Sequence, residues 1–213
     1  FTSDNGGIPS RISPLNGSKG SLYEGGIKVP AAAWGYGVKK SSDYCPEIIL
    51  GMDFYPTIIE LAGLSHDPSH KPDGISLVPH LRGTPSINRG NVFWHFPCYI
   101  GKGEPSSVIR NGRYKLIYFF EDKRSELYDL KKDPNEKNDL ANSKVQEKQR
   151  MENELFAWLK KTGAAVPSGP NPSYDPTAVS KGKKGKEGKG KKSEPGNKGS
   201  KEDEVKRKKK KQK

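Results

Sequence analysis

Phe1-Thr-Ser-Asp-Asn-Gly-Gly7 and Lys19-Gly-Ser-Leu-Tyr-Glu-Gly-Gly-Ile-Lys-Val-Pro30 place a dense set of polar and glycine residues at the start of the chain. The run 1–3 favours β-structure and stops at Asp4-Asn5-Gly6-Gly7, which predicts the end of a core strand opening into a loop. In open α/β sheets, ligands gather at the carboxyl ends of strands. The pattern therefore predicts a functional loop, with ordinary turn chemistry as the structural alternative.

Asp4 and Asn5 supply a carboxylate and an amide oxygen, which are the ligand types that Ca²⁺ and Mg²⁺ take in proteins. Adjacent residues of a strand point to opposite faces, so both bind one ion only where the backbone turns, and Gly6-Gly7 allows that turn. Two ligands are too few for such an ion, so we expect more from elsewhere. Lys19 is a compact point charge suited to a tetrahedral anion. A metal and a lysine together suit sulfuryl or phosphoryl transfer.

Charge is unevenly distributed along the chain. Residues 180–213 carry 16 Lys and Arg against 5 Asp and Glu, a net charge of +11 out of +13 for the whole chain. Residues 1–179, with 22 against 20, are near neutral. The stretch 180–213 has no aromatic residue and one large aliphatic, Val205. It cannot bury enough surface to offset its ordering entropy, so we expect a disordered tail after an extended, proline-rich linker at 167–179.

Hydrophobic periodicity predicts two further core elements in the first half of the chain. Residues 48–64 read as a helix that packs Met52 and Tyr55 in the core, with a shorter helix capped by Asp53 as the alternative. Residues 27–34 read as a buried strand.

The second half of the chain predicts a small α+β lobe. Strands are expected at 91–96, 106–110, 114–120 and 126–130. Asn111-Gly112 joins the second and third strands and is a strong hairpin signal, so we expect an antiparallel meander. A helix from 143 to about 161 should cover one face of this sheet with an apolar stripe. His95, on the first strand, is a candidate substrate-binding residue, with simple packing between aromatic neighbours as the alternative.

Cysteine usage and hydropathy exclude two other classes of protein. Cys45 and Cys98 lack CxxC spacing, so they form neither a disulfide framework nor a zinc site, and we expect buried free thiols. One disulfide between them is the alternative. No apolar run approaches the length of a membrane span.

The opening stretch resembles the C-terminal half of a type I sulfatase, of the arylsulfatase kind, in the alkaline phosphatase superfamily. The resemblance covers roughly residues 1–176. It continues through Met52-Asp-Phe-Tyr-Pro-Thr57, Pro72-Asp-Gly-Ile-Ser-Leu-Val-Pro79, Phe93-Trp-His-Phe-Pro97, Arg113-Tyr-Lys-Leu-Ile117, Leu127-Tyr-Asp-Leu130 and Asp133-Pro-Asn-Glu136.

The resemblance implies an α/β fold in four parts. Residues 1–90 would be the C-terminal part of an alkaline-phosphatase-like catalytic domain. Residues 91–166 would be a small α+β lobe, made of an antiparallel sheet and a C-terminal helix. The linker at 167–179 and the basic tail at 180–213 would follow.

The resemblance also implies roles for individual residues. Asp4 and Asn5 match the downstream calcium ligands of the family, and Lys19 matches the lysine that binds the sulfate. The family nucleophile is a formylglycine made from the cysteine of a Cys-x-Pro-x-Arg motif. Neither Cys45 nor Cys98 stands in that motif, so we expect the nucleophile and the remaining ligands upstream of Phe1, and an inactive fragment.

The function implied is hydrolysis of an aryl or carbohydrate sulfate ester with Ca²⁺, or Mg²⁺ as the alternative, in a periplasmic, secreted or other exported compartment. A phosphodiesterase or phosphonate hydrolase of the same superfamily is the nearest alternative. An alternative of another class is a polyanion-binding protein that acts through residues 180–213, since dense positive charge binds polyanions by counterion release.

Overall fold

The main element of the described residues is a four-stranded antiparallel sheet. The computed structural model describes residues 1–39, 44–84, 87, 89–100, 103–169 and 171–174. The strands are β1 (Val92–Phe96), β2 (Ser106–Asn111), β3 (Tyr114–Phe119) and β4 (Ser125–Asp129), in the order β1-β2-β3-β4. Asn111 pairs with Tyr114, and Gly112 takes a left-handed φ of +47° in the turn between them. The predicted meander is confirmed, with its hairpin turn one residue further along.

Helix α5 (Val145–Thr162) covers one face of this sheet. Its buried residues Met151, Leu155 and Leu159 pack on apolar residues of β2, β3 and β4. The helix ends at Gly163, whose left-handed φ of 62° suits a glycine C-cap. The predicted α+β lobe is therefore confirmed.

The other face of the sheet is covered from the first part of the chain. Leu22 and Tyr23 pack against a second core cluster of sheet residues. That cluster consists of Val108, Ile117, Phe119, Tyr128 and Leu130. The segment just after Lys19 thus rests on the sheet.

The described residues before the sheet form five short helical segments. They are α1 (Pro9–Ile12), α2 (Glu24–Ile27), a 3₁₀ turn (Gly51–Asp53), α3 (Phe54–Leu61) and α4 (Val78–Leu81). The helix predicted over 48–64 is therefore the shorter alternative: α3 begins after Asp53, which is its N-cap residue without a side-chain cap, and Pro56 lies in its first turn.

The prediction that Met52 and Tyr55 pack in the core is wrong. These side chains are 49% and 44% exposed, and α3 buries Pro56 and Thr57 instead. The buried side of α3 is the one that carries Thr57, whose hydroxyl accepts a hydrogen bond from the Leu77 amide over 2.9 Å just before α4.

The strands predicted at 1–3 and 27–34 are also wrong as core strands. Their pairing is a single antiparallel bridge between Thr2 and Ala31, and Phe1 is 76% exposed. Gly25, Gly26 and Ile27 belong to the helical turn α2, so the stretch 27–34 does not begin as a strand. An isolated pair of chain segments has little surface to bury, and no third strand flanks it among the described residues.

Cys45 and Cys98 are free, as predicted, but both are exposed rather than buried. Phe1–Tyr174 form one compact unit, so the boundary at residues 90 and 91 stays a prediction. The tail at 180–213 and residues 170 and 175–179 of the linker lie outside the described residues. Within the part of the chain that the structure describes, no helix combines the length and apolarity that crossing a membrane requires.

Candidate active site

The two polar segments at the start of the chain are joined through their backbones. The amide of Lys19 donates a hydrogen bond to the carbonyl oxygen of Gly7 over 3.0 Å. The amide of Gly6 donates to the carbonyl oxygen of Gly26, also over 3.0 Å. Residues 16–24, the Lys19 segment, therefore lie beside the 4–7 loop, which carries the two candidate metal ligands.

Two glycines make this close approach possible. A Cβ atom on Gly6 would lie 2.2 Å from the carbonyl oxygen of Gly25, and one on Gly26 would lie 2.0 Å from that of Ser21. The atoms in the way belong to the backbone, so they cannot rotate aside as a flexible side chain could. A side chain at Gly6 would force the two segments apart, and one at Gly26 would displace the backbone around Ser21 within the second segment.

The donor set in the 4–7 loop fits part of a calcium site. Asp4 is exposed and Asn5 is half-buried, and the Ser3 hydroxyl donates to the Asn5 carbonyl oxygen over 3.2 Å, which tightens the turn. Carboxylate and amide oxygens are the ligands that Ca²⁺ prefers. Among the described residues, no group of three or more His, Cys, Asp or Glu side chains could hold a metal ion. Asp4 and Asn5 would therefore supply only some of the ligands.

Glu24, the first residue of α2, belongs to a buried ion cluster. Lys115 Nζ, on β3, lies 3.0 Å from Glu24 Oε1 and 2.8 Å from Glu136 Oε1. The Glu24 amide donates to Glu136 Oε2 over 2.7 Å, and Arg110 on β2 lies 3.7 Å from the Glu24 carboxylate. Burial raises the pKa of Glu136, and the Lys115 ammonium partly offsets this rise. Two carboxylates and two cations thus balance each other beneath the Lys19 segment.

Tyr23 forms a second attachment of the same segment to the sheet. Its hydroxyl donates to Glu126 Oε2 over 2.5 Å, and the Tyr128 hydroxyl donates to the same oxygen over 2.7 Å. Burial, and then the negative charge of Glu126, raise the pKa of Tyr23 well above its usual range. The hydroxyl therefore stays protonated and keeps its role as a donor.

His95 lies on β1, where both of its ring nitrogens have partners. Nδ1 lies 2.6 Å from Ser107 Oγ, and Nε2 lies 2.7 Å from the carbonyl oxygen of Ala165. The ring also packs edge-on against Phe120. These contacts are typical of a packed histidine, and the role of His95 in substrate binding stays a prediction.

Sequence reasoning missed Glu24, Lys115 and Glu136. Lys115 and Glu24 are 91 positions apart, and Glu24 and Glu136 are 112 apart, so no local pattern connects them. One signal was present, since Lys115 stands between Tyr114 and Leu116 in a strand whose other residues are apolar or aromatic. A lysine in such a strand needs a buried partner.

Comparison with known proteins identifies relatives of this chain. Residues 18–163 match the family described as N-sulphoglucosamine sulphohydrolase, C-terminal. A sulfatase of Formosa agariphila is 37% identical over 182 residues, which cover 77% of this chain and 33% of that protein. Arylsulfatase A of Homo sapiens is 30% identical over 167 residues, which cover 66% of this chain and 32% of that protein.

A solved structure shares the fold. A 2-O GAG sulfatase superposes with a TM-score of 0.59 at 27% identity, covering 68% of this chain and 32% of that one. The chain spans about a third of the length of these relatives. Together with the match over residues 18–163, these similarities show that the chain belongs to the N-sulphoglucosamine sulphohydrolase C-terminal family, the C-terminal region of type I sulfatases with the alkaline-phosphatase-like fold.

Proposed function

We propose that this chain supplies the downstream part of the active site of a sulfuric ester hydrolase that uses a divalent cation. The observation that carries the proposal is the hydrogen bond between Lys19 and Gly7, in a chain of the sulfatase family. It joins the backbone of the segment that carries Lys19 to the backbone of the loop that carries Asp4 and Asn5, which would supply oxygen ligands to the metal. Those are groups that a sulfate ester and its hydrolysis require.

Lys19 would bind the sulfate group. It is exposed, and its ammonium is a compact charge with three donors on a flexible stem, which suits a tetrahedral anion. Negative charge redistributes over the sulfate oxygens and the leaving oxygen as the ester bond breaks. A cation fixed beside those oxygens favours the transition state, provided that its segment is held in place.

Asp4 and Asn5 would bind the metal, for which Ca²⁺ fits the donor set and Mg²⁺ is the alternative. When bound, the ion supplies positive charge that shields the substrate anion and stabilises the nucleophile. The remaining ligands and the nucleophile would come from residues outside this chain. Cys45-Pro-Glu and Cys98-Tyr-Ile do not match a Cys-x-Pro-x-Arg motif. We therefore expect the 213 residues alone to be inactive.

The substrate class would be an aryl or carbohydrate sulfate ester, since the relatives include an arylsulfatase and a 2-O GAG sulfatase. The test is a comparison of leaving-group-matched substrates with the full-length enzyme that contains this chain. The substrates are 4-nitrophenyl sulfate, 4-nitrophenyl phosphate, bis(4-nitrophenyl) phosphate and a 4-nitrophenyl phosphonate. We expect the highest kcat/KM for the sulfate. A higher kcat/KM for the phosphodiester or the phosphonate would replace this proposal with its superfamily alternative.

A second function is proposed for residues 180–213, as a contact for polyanions. The net charge of +11 over this stretch supports it, because dense lysine binds sulfated polymers and other polyanions by releasing counterions. On a sulfatase, such a contact would hold the enzyme near a sulfated polymer.

A further inference from the structure

The ion cluster beneath the Lys19 segment is more deeply buried than an ordinary ion pair. The side chains of Lys115 and Glu136 are fully buried, and that of Glu24 is 4% exposed. Taking charges out of water is costly, and apolar residues of similar volume often give equal stability. A contribution to the stability of the fold is therefore a weak explanation for the presence of three buried charged groups here. A requirement for fixed geometry is a better one.

The cluster links a rigid element to a short one. Lys115 lies on β3, an inner strand that pairs with β2 and β4. Glu24 begins α2, which is a single helical turn of four residues. A segment this short does not hold its own position, because isolated short helices are unstable. The bonds from Lys115 and Glu136 to Glu24 therefore fix α2 against the sheet.

The path from α2 to the candidate active site runs through backbone hydrogen bonds. The amide of Gly25 donates to the carbonyl oxygen of Asn16 over 2.7 Å, at the start of the segment that carries Lys19. The carbonyl oxygen of Gly26 accepts from Gly6 in the 4–7 loop over 3.0 Å. A displacement of α2 would therefore move both segments.

Glu136 makes a second contact with the Lys19 segment. Its carbonyl oxygen accepts a hydrogen bond from Asn16 Nδ2 over 3.3 Å. Asn16 Oδ1 in turn accepts from the amide of Gly17 over 2.9 Å. The Lys19 segment is thus connected to Glu136 at both of its ends, through Asn16 and through Glu24.

We propose that Lys115, Glu24 and Glu136 are positioning residues, which hold the Lys19 segment and the 4–7 loop at the separation that a sulfate ester needs. This inference rests on the proposed function. None of the three touches the substrate. They act through α2 on the placement of Lys19.

The test uses Glu24→Gln in the full-length enzyme, because glutamine has the same shape and leaves Lys115 paired with Glu136. Lys115→Met is the second, more disruptive variant. Arg113→Met is the matched control, since it removes one positive charge from an ion pair with Asp129 two positions away from Lys115. The first measurement is amide hydrogen exchange, which does not depend on activity. Kinetics with 4-nitrophenyl sulfate form the second.

In Glu24→Gln we expect faster exchange at the amides of Gly6, Lys19 and Gly25, while β2 and β3 keep the protection of the wild type. Arg113→Met should leave all three amides unchanged. Unchanged exchange at the three amides in both cluster variants would overturn the inference. Faster exchange throughout β2 and β3 in Glu24→Gln would also overturn it, because the cluster would then support the whole fold.

Kinetics separate positioning from general support of the structure. We expect Glu24→Gln to lower kcat/KM by up to about 100-fold, since small misplacements of catalytic groups have effects of this size. The loss should fall on the same parameter, kcat or KM, as in Lys19→Ala. The double variant Lys19→Ala/Glu24→Gln should lose less than the product of the two single losses. Losses that multiply would overturn positioning through Lys19.

If the wild-type enzyme turned over no sulfate ester, the proposed function would fail, and hydrogen exchange would still decide the role of the cluster.

Discussion

The amide of Lys19 and the carbonyl oxygen of Gly7 are joined by a 3.0 Å hydrogen bond, although twelve positions separate them along the chain. The bond couples the segment proposed to bind sulfate to the loop proposed to bind the metal. The Lys19 segment and the 4–7 loop should therefore move together relative to the sheet. A change in either segment should affect both functions.

Replacement of Asp4 should weaken metal binding. We expect Asp4→Ala in the full-length enzyme to lower the affinity for Ca²⁺ by at least about 10-fold, since even outer partners of metal ligands contribute that much. Equilibrium dialysis with metal analysis measures the affinity directly. Asp73→Ala is the control, because Asp73 is an exposed aspartate elsewhere in the chain. Equal Ca²⁺ affinity in Asp4→Ala and Asp73→Ala would remove Asp4 from the site.

Local patterns predicted the second half of the fold well. Asn111-Gly112 and the stripe with Met151 and Leu155 gave the hairpin and α5, because turn chemistry and helical periodicity act over a few residues. The first half was harder to predict. Met52 has the spacing of a core residue but is 49% exposed, since burial depends on which other element packs there.

The candidate site was likewise only partly predictable. Asp4, Asn5 and Lys19 could be singled out because their residue types stand at glycine-rich bends. The cluster of Lys115 and Glu24 could not, because strand pairing and tertiary packing bring these residues together across the whole sheet.

Two carboxylates should give opposite pH dependences of stability. Burial raises the pKa of Glu136 above its ordinary 4.5, so its contribution to stability is present below pH 4.5 and is lost as pH rises through the folded-state pKa. A hydrogen bond from Arg113 lowers the pKa of Asp129 below its ordinary 3.8. Its contribution is therefore present above pH 3.8 and is lost as pH falls through the folded-state pKa.

Urea unfolding from acid to neutral pH measures both contributions. The difference in unfolding free energy between the wild type and Glu136→Gln should become less favourable to the wild type as pH rises above 4.5. The difference in unfolding free energy between the wild type and Asp129→Asn should become less favourable to the wild type as pH falls below 3.8. If both free-energy differences changed in the same direction with rising pH, the environment assigned to Glu136 or to Asp129 would be wrong.

A substitution in α5 tests the core of the lobe. Leu155 is fully buried against the sheet, so Leu155→Ala should lower the unfolding free energy by about 2–5 kcal/mol through lost burial and the cavity left behind. Val145 lies on the same helix and is 61% exposed. Val145→Ala should change the unfolding free energy by no more than about 0.5 kcal/mol. Similar values for the two variants would contradict the packing of α5.

Removal of residues 180–213 should separate turnover from polymer binding. We expect the truncated enzyme to keep the wild-type kcat/KM for 4-nitrophenyl sulfate and to bind heparin more weakly, with a smaller salt dependence. A variant of full length with the tail lysines changed to glutamine controls for chain length. A large loss of turnover on truncation would mean that the tail belongs to the catalytic unit.

The kinetics of Lys19→Ala in the full-length enzyme test the central claim most directly. Lys161→Ala is the matched control, since Lys161 is an exposed lysine in the last turn of α5. Removal of one group that stabilises transition-state charge costs about 100- to 1,000-fold. We predict a loss of that size in kcat/KM for 4-nitrophenyl sulfate in Lys19→Ala and wild-type values in Lys161→Ala. A wild-type kcat/KM in Lys19→Ala would contradict the assignment of this segment to the active site.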